Sequence, residues 1–223
     1  MKFTFGVITG GEVNNNVIES IINQNIPEYE IIVVGGSKDW YYDKVVNYLV
    51  NKIPINGIFF NEEASKPRWI KKKKNLITRN AKYDNIVYMH DYVCLENGWY
   101  EGYKKFGDDW DISMNIINNS DGSRYRDWCI WDDPEINYRN NGEHSVILPP
   151  YNYGVTEHMY ISGAYWVAKK YVMEKEPLNE DLLWAQGEDV EWSKRVIPKY
   201  NYKMNEYSKV KLLKDKKLSA EML

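Results

Sequence analysis

The sequence has little of several features that would assign a protein to a class at once. Cys94 and Cys129 are the only cysteines among 223 residues, and their spacing fits neither a zinc site nor a disulfide framework. No apolar run reaches the roughly 20 residues of a membrane span. The short apolar start, MKFTFGVITGG, predicts a first strand rather than a signal sequence. We therefore expect a reduced, cytoplasmic protein without a transmembrane segment.

An excess of charge of one sign is also lacking. Lys and Arg number 29 against 32 Asp and Glu, which gives a net charge of −3. This balance argues against a general nucleic-acid-binding protein. The local basic run at residues 71–74 is interpreted by default as a solvated helix face.

Aromatic residues, by contrast, are abundant. The 19 Tyr and 9 Trp bring the aromatic fraction to 15%. These side chains combine a flat apolar face with a polar tip, which suits stacking on sugars or bases. A genome rich in A and T would also raise Tyr together with Asn, Lys and Ile, and the composition is consistent with both explanations.

Residues 1–90 alternate between strand and helix patterns. The strand pattern covers residues 3–7, 30–34, 58–60 and 86–89, and the helical pattern covers 17–22, 45–50 and 76–81. This alternation predicts an α/β fold with a Rossmann-like, mostly parallel sheet and helices on both faces. Ligands of such sheets bind beyond the carboxyl ends of the strands, where residues 9–11, 35–39 and 90–91 are expected to lie.

The pattern after residue 100 is less regular. Strands are predicted over 111–117 and 159–167, and helices near 169–174 and over 188–196. The polar segment 118–158 is long for an irregular region, which is typical of a functional one. The charged tail from residue 209 is interpreted as a solvated helix or as the edge of a longer protein. No linker or repeat divides the chain, so we predict a single domain over 1–223.

Two candidate sites each consist of two neighbouring ionisable residues at the end of a predicted strand or at the start of a predicted helix. His90 and Asp91 end a predicted buried strand, where they suit a divalent metal ion, or else a hydrogen bond that orders a loop. Glu188 and Asp189 open a predicted helix, where carboxylates can cap the helix or serve as a general base.

Two further motifs are weaker. The segment Arg124, Tyr125, Arg126, Asp127 and Trp128 suits a phosphate or sugar clamp, or an ordinary ion-pair cluster. The glycines after Thr9 lack the GxGxxG spacing of a dinucleotide site, so they predict only a tight turn.

Taken together, these segments resemble the nucleotide-sugar glycosyltransferases of the GT-A fold, close to the large family 2 group. The resemblance lies in the order of five segments: FGVIT, EIIVVGGSKD, KNLI, YMHDYV and GED. It spans roughly residues 3–196. It divides the single domain into a nucleotide-sugar-binding half (1–100), an acceptor-binding and catalytic half (101–200) and a charged tail (201–223).

The resemblance implies transfer of a sugar from a nucleoside-diphosphate sugar, most simply a UDP-sugar, to a hydroxyl of a glycan or glycoconjugate, with inversion. It makes Asp189 the base, while Glu188 would bind the acceptor or share the role of the base. Mn²⁺ or Mg²⁺ would be bound by Asp91 and His90, with His158 or His144 completing the shell. The expected donor contacts are Thr9, Gly10, Asp39, Lys74, Arg124, Arg126, Asp127 and Trp128, and Trp184 and Trp192 would line the acceptor side.

Two departures from the family pattern affect these expectations. Gly35 and Gly36 replace the acid that usually ends the second strand, and the DxD motif is reduced to His90-Asp91-Tyr92. A carbohydrate-binding module without catalysis and a sugar nucleotidyltransferase are the alternatives. The second would need a glycine-rich, Arg/Lys signature near the first strand, which is not present. A dinucleotide oxidoreductase fits neither the glycine spacing nor the acid.

Overall fold

The computed structural model describes residues 1–11, 13–35, 45–65, 69–131, 133–135, 146–183, 186–216 and 220–222. The strands are β1 (Phe3–Ile8), β2 (Tyr29–Val34), β3 (Ile55–Ile58), β4 (Asn85–His90), β5 (Val93–Leu95), β6 (Ile112–Asn118), β7 (Cys129–Trp131), β8 (Val146–Leu148), β9 (Met159–Tyr160), β10 (Tyr165–Lys169), β11 (Tyr202–Leu212) and β12 (Ala220–Met222). The helices are α1 (Asn15–Ile22), α2 (Val46–Val50), α3 (Glu62–Ser65), α4 (Trp69–Asn80), α5 (Trp99–Phe106), α6 (Lys170–Lys175) and α7 (Glu188–Val196).

An eight-stranded sheet forms the centre of the molecule, in the order β3-β2-β1-β4-β10-β6-β11-β5. The first four strands in that order pair in parallel, as the alternating pattern predicts. Strand β10 is antiparallel to both of its neighbours, and β11 is parallel to β6. The α/β prediction with a mostly parallel sheet is therefore confirmed.

Strand β1 shows how both sheet faces are covered. All six of its residues are buried, and successive side chains of a strand point to opposite faces. On one face Phe3 packs edge-on against Trp99 of α5, with ring centroids 5.1 Å apart. On the other face a side chain at Gly6 would collide with Ile77 of α4, which leaves room only for glycine. Helices therefore pack on both faces, as expected.

The charged tail contains a strand and not a solvated helix. Strand β11 lies inside the central sheet between β6 and β5. Val210 and Leu212 are buried while Lys209 and Lys211 are exposed, which is the period of two that a half-buried strand requires. Because lysines occupy the exposed positions, the sequence appears uniformly charged and the alternation is not apparent from it.

The strand predicted over 159–167 is two strands in two sheets. Residues 161–164 separate β9 from β10. Strand β9 belongs to a second sheet, in the order β12-β8-β7-β9, which brings structure to the segment predicted as irregular. The interruption places Gly163 beside the end of β4, where the backbone N–H of His90 donates to the Ala164 carbonyl at 3.1 Å.

Among the described helices, none has both the length and the apolarity needed to cross a bilayer.

Candidate functional site

The carboxyl ends of β1 and β4 meet at Thr9 and Asp91. The Thr9 hydroxyl donates to Oδ2 of Asp91 at 2.6 Å and accepts the N–H of Gly11 at 3.0 Å. The backbone N–H of Asp91 donates to the Ile8 carbonyl at 3.1 Å. The predicted binding edge is therefore formed, and its two strand ends are joined by side chains as well as by the sheet.

Three lysines of α4 lie beneath this edge. Lys71, Lys73 and Lys74 are buried, and only Lys72 of the run is exposed. Because a buried ammonium group needs hydrogen-bond acceptors, each is directed at a backbone carbonyl. Lys71 donates to Leu183 at 2.8 Å, Lys74 to Gly163 at 2.8 Å, and Lys73 to Thr9. The solvated-face interpretation of residues 71–74 is therefore wrong.

Lys74 links α4 to the first turn of α7. Its ammonium group lies 3.7 Å from Oε1 of Glu188 and 4.3 Å from the centre of the Trp166 ring. Burial lowers the pKa of Lys74, and the charges of Glu188 and Asp189 oppose that shift. Only 1% of the Lys74 side chain is exposed. Its contacts are therefore with protein groups, the Gly163 carbonyl and the Glu188 carboxylate.

Asp189 is held by two backbone N–H groups. Gly163 donates to Oδ2 and Val190 to Oδ1, each at 3.0 Å. The preceding Gly187 has a left-handed conformation (φ 62°) that begins the helix, and glycine adopts it without steric penalty. Burial, together with the charge of Glu188, raises the pKa of Asp189, while Lys74 and the two N–H groups lower it. The net increase makes this carboxylate a stronger base than an exposed aspartate.

A small cavity of about 170 Å³ lies between these elements. Its polar lining includes His90, Tyr92, Arg126, Glu188, Asp189 and Lys216. Loss of hydration, with Lys74 and Lys216 nearby, holds the pKa of His90 well below its usual range, so the imidazole is neutral. The cavity is thus lined by two cations, Arg126 and Lys216, together with the Glu188–Asp189 pair.

Lys216 is the residue of this cavity that the sequence analysis missed. Its ammonium group donates to the Tyr92 hydroxyl at 2.5 Å and lies 4.4 Å from the centre of the same ring. Its backbone N–H donates to Asn119 at 3.0 Å. Burial lowers the pKa of Lys216, and the charge of Arg126 lowers it further. No sequence signal distinguishes this lysine from its neighbours in the tail.

A second, larger cavity of about 620 Å³ shares Arg126 and Asp189 with the first. The rest of its lining combines an aromatic face with hydrogen-bonding side chains, including Trp131, Tyr160, Gln186, Glu191 and Lys194. Asp189 therefore lines both the small cavity and the larger cavity, which combines aromatic and hydrogen-bonding side chains.

Three of the four predicted clamp residues have internal partners. Arg124 donates from Nε to Asp127 at 2.7 Å and from Nη1 to the Pro149 carbonyl at 2.8 Å. Asp127 is fully buried and also accepts from Tyr151 at 2.9 Å. Trp128 is 2% exposed and packs on Tyr202. Of the predicted clamp, the structure places Arg126 alone in the cavities around Asp189.

The predicted metal ligands are not brought together. Asp91 uses one carboxylate oxygen for Thr9. His158 lies beside the second sheet, 3.8 Å from Glu157, and its carbonyl accepts from Trp131. Across the described part of the chain, no group of three or more His, Cys, Asp or Glu side chains could hold a metal ion. As a donor set for Mn²⁺ or Mg²⁺, the combination of His90, Asp91 and His158 does not fit.

The remaining candidates are scattered. Gly10 is exposed in the turn after β1. Trp192 is fully buried, and its indole N–H donates to the Glu176 carbonyl at 2.6 Å, so it packs in the core instead of lining an acceptor site. Asp39, His144 and Trp184 lie outside the described residues.

Known structures share this architecture. S. aureus TarS 1-349 in complex with UDP superimposes with a TM-score of 0.67 at 14% identity, covering 95% of this chain and 61% of TarS 1-349. The same protein with UDP-GlcNAc gives 0.64 at 13%, covering 97% and 60%. GalNAc-T7 with UDP, GalNAc and Mn²⁺ gives 0.66 at 12%, covering 99% and 44%. The chain has the GT-A fold.

The chain spans about three fifths of TarS 1-349 and less than half of GalNAc-T7. No protein-family model matches its sequence, and no curated protein matches it either.

Proposed function

We propose that the protein is an inverting glycosyltransferase that moves a sugar from a UDP-sugar to a hydroxyl of a glycan or glycoconjugate. The observation that carries this proposal is the position of Asp189, a half-buried carboxylate of raised pKa that lines both cavities. Its place beyond the ends of β1 and β4 is where ligands bind in sheets of this kind.

The donor assignment has support from the shared fold. TarS has been crystallised with UDP and with UDP-GlcNAc, and GalNAc-T7 with UDP. In this chain the small cavity suits the diphosphate and the adjoining sugar. Its volume of about 170 Å³ is below the roughly 300–1,000 Å³ of a typical ligand pocket, so it would hold only part of a nucleotide sugar.

The acceptor would occupy the larger cavity. Trp131 offers an aromatic face of the kind that stacks on sugar rings. Gln186, Glu191 and Lys194 supply donors and acceptors for hydroxyl groups. An acceptor hydroxyl at the boundary of the cavities would lie beside Asp189 and face the donor sugar.

In the proposed reaction, Asp189 is the general base and UDP is the leaving group. Asp189 accepts the proton of the acceptor hydroxyl, whose oxygen forms a bond to the anomeric carbon. The bond between that carbon and the β-phosphate oxygen breaks on the opposite face, and its electron pair leaves with UDP. Glu188 supports this step because its charge raises the pKa of the neighbouring carboxylate.

The test is Asp189→Asn, assayed for transfer with a panel of UDP-sugars and for UDP binding by calorimetry. We expect transfer to fall about 10²- to 10⁴-fold, with UDP binding and melting temperature retained. Asp109→Asn, which changes an exposed carboxylate paired with Lys203, is the matched control. Near-normal transfer by Asp189→Asn would refute the base assignment. Glycan binding by the wild type without any response to nucleotides would favour a carbohydrate-binding module.

A further inference from the structure

We propose that Arg126 and Lys216 bind the donor diphosphate directly, and that they supply the positive charge that a divalent cation would otherwise provide. The inference rests on the proposed function and names the groups that hold its leaving group.

Both cations point into the same small cavity from distant parts of the chain. Arg126 follows β6 in the region before β7, and Lys216 follows β11. The Nε atom of Arg126 is buried without a hydrogen-bond partner in the described part of the chain. An unpaired buried donor on a charged group is costly, so this guanidinium has hydrogen-bonding capacity left for an anion in the cavity.

Lys216 is placed to take part in the same contact. Tyr92 accepts one of its hydrogen bonds, and an ammonium group has three to donate. Asn119 forms hydrogen bonds with the backbone carbonyl and N–H of Lys216, and these bonds hold the backbone of Lys216 in place at the cavity. A planar guanidinium and a compact ammonium are the two groups that proteins commonly use for phosphates.

The charges nearest His90 are cationic, while Glu188 and Asp189 also line the cavity. His90 and Lys216 line the same cavity and Lys74 lies near this histidine, so a metal ion bound to the imidazole would be repelled by both ammonium groups. Asp91 follows His90 directly, and its carboxylate is engaged with Thr9. Consecutive side chains at a strand end point to opposite faces, so the two predicted metal ligands do not converge.

The same two cations would act on the reaction itself. As the bond to the anomeric carbon breaks, negative charge grows on the β-phosphate oxygen. Cations held in fixed positions stabilise that charge without having to reorganise. This assigns Arg126 and Lys216 to leaving-group stabilisation as well as to binding.

The experiment is titration calorimetry of the full chain with UDP, in EDTA and separately in Mn²⁺. We expect equal affinity under both conditions. Lys216→Met and Arg126→Met should each weaken UDP binding about 10- to 100-fold in EDTA. Lys211→Met removes an exposed lysine of β11 that does not line the cavity, and this variant should bind UDP as the wild type does. Lys216→Arg, which retains the charge, should keep most of the affinity.

Melting temperatures measured alongside show whether each variant is folded. Where a Met variant melts early, Lys216→Gln and Arg126→Gln replace it. Binding of UDP only when Mn²⁺ is present would overturn the inference and leave the proposed glycosyl transfer standing. Equal binding by Lys216→Met and the wild type in EDTA would also overturn it. If UDP binds under neither condition, the proposed donor fails, and the inference fails with it.

Discussion

The backbone of Gly163 contacts Lys74 and Asp189 at the same time. Its N–H donates to Oδ2 of Asp189 at 3.0 Å, and its carbonyl accepts from Nζ of Lys74 at 2.8 Å. One peptide segment therefore positions the proposed base and a buried cation that lies near it. The break between β9 and β10 brings this segment to the end of β4.

Gly163→Ala tests this arrangement. A Cβ atom there would lie 2.8 Å from Oδ2 of Asp189, closer than van der Waals contact allows, so the carboxylate must move. We expect transfer to fall by up to about 10²-fold, as for a reacting group displaced by about 1 Å. Gly154→Ala, at a position with nothing within 4 Å of the added atom, serves as the control. Unchanged turnover in Gly163→Ala would show that the contact does not position the base.

The sequence predicted the first half of the fold well because the signal there is local. Strands β1, β2 and β4 are apolar runs between helical patterns, and their parallel pairing follows from that alternation. The break at residues 161–164 was missed because small and aromatic residues continue the strand pattern through it. Strand β11 was missed because lysines occupy its exposed positions.

The site was predicted only in part, and the reason is again physical. His90, Asp91, Glu188 and Asp189 end or begin regular elements, so their positions could be inferred. Whether a lysine is solvated or buried, however, depends on carbonyls that are distant in sequence, such as Leu183 for Lys71. Likewise, the choice between a clamp and an ion pair for Arg124 is decided by the packing of Asp127, Pro149 and Tyr151.

The acidic limb of the pH–rate profile should report Asp189. Because its pKa is raised, transfer is expected to be lost as pH falls through a value above the usual range of an aspartate. The charge of Glu188 contributes to that increase, so Glu188→Gln should move the limb to lower pH. Steady-state transfer measured across pH checks this. Glu101→Gln, on an exposed residue of α5, should leave the limb in place, and an unmoved limb in Glu188→Gln would contradict the coupling.

Lys74→Met should lower the free energy of unfolding by about 1–3 kcal/mol, because it leaves Glu188 and the Gly163 carbonyl without their buried partner. Urea denaturation measures the change. The matched variant is Lys72→Met, which alters an exposed lysine of the same helix and should change stability by less than about 0.5 kcal/mol. Equal effects of the two substitutions would mean that the ion pair adds nothing to stability.

Gly35→Ala should destabilise the protein more than the addition of a single methyl group would suggest. The residue has φ +118°, and an added Cβ would lie 2.1 Å from the Thr9 carbonyl oxygen. The backbone strain alone costs of order 1–3 kcal/mol, and the collision adds to it. Gly122→Ala has a positive φ (+85°) with nothing within 4 Å, so it isolates the strain. Thermal melts should place Gly35→Ala below Gly122→Ala, and the reverse order would be evidence against close packing at Thr9.

The position of β11 also bears on how the protein is made. This strand separates β6 from β5 in the finished sheet, although β5 is complete more than a hundred residues earlier in the chain. During synthesis this edge of β6 stays unpaired until residues 202–212 have emerged from the ribosome. Contacts between such distant segments form slowly. The nascent chain therefore exposes the unpaired edge of β6 throughout this interval of synthesis. Lys216 follows that strand, so the small cavity gains its last cation only when the sheet closes.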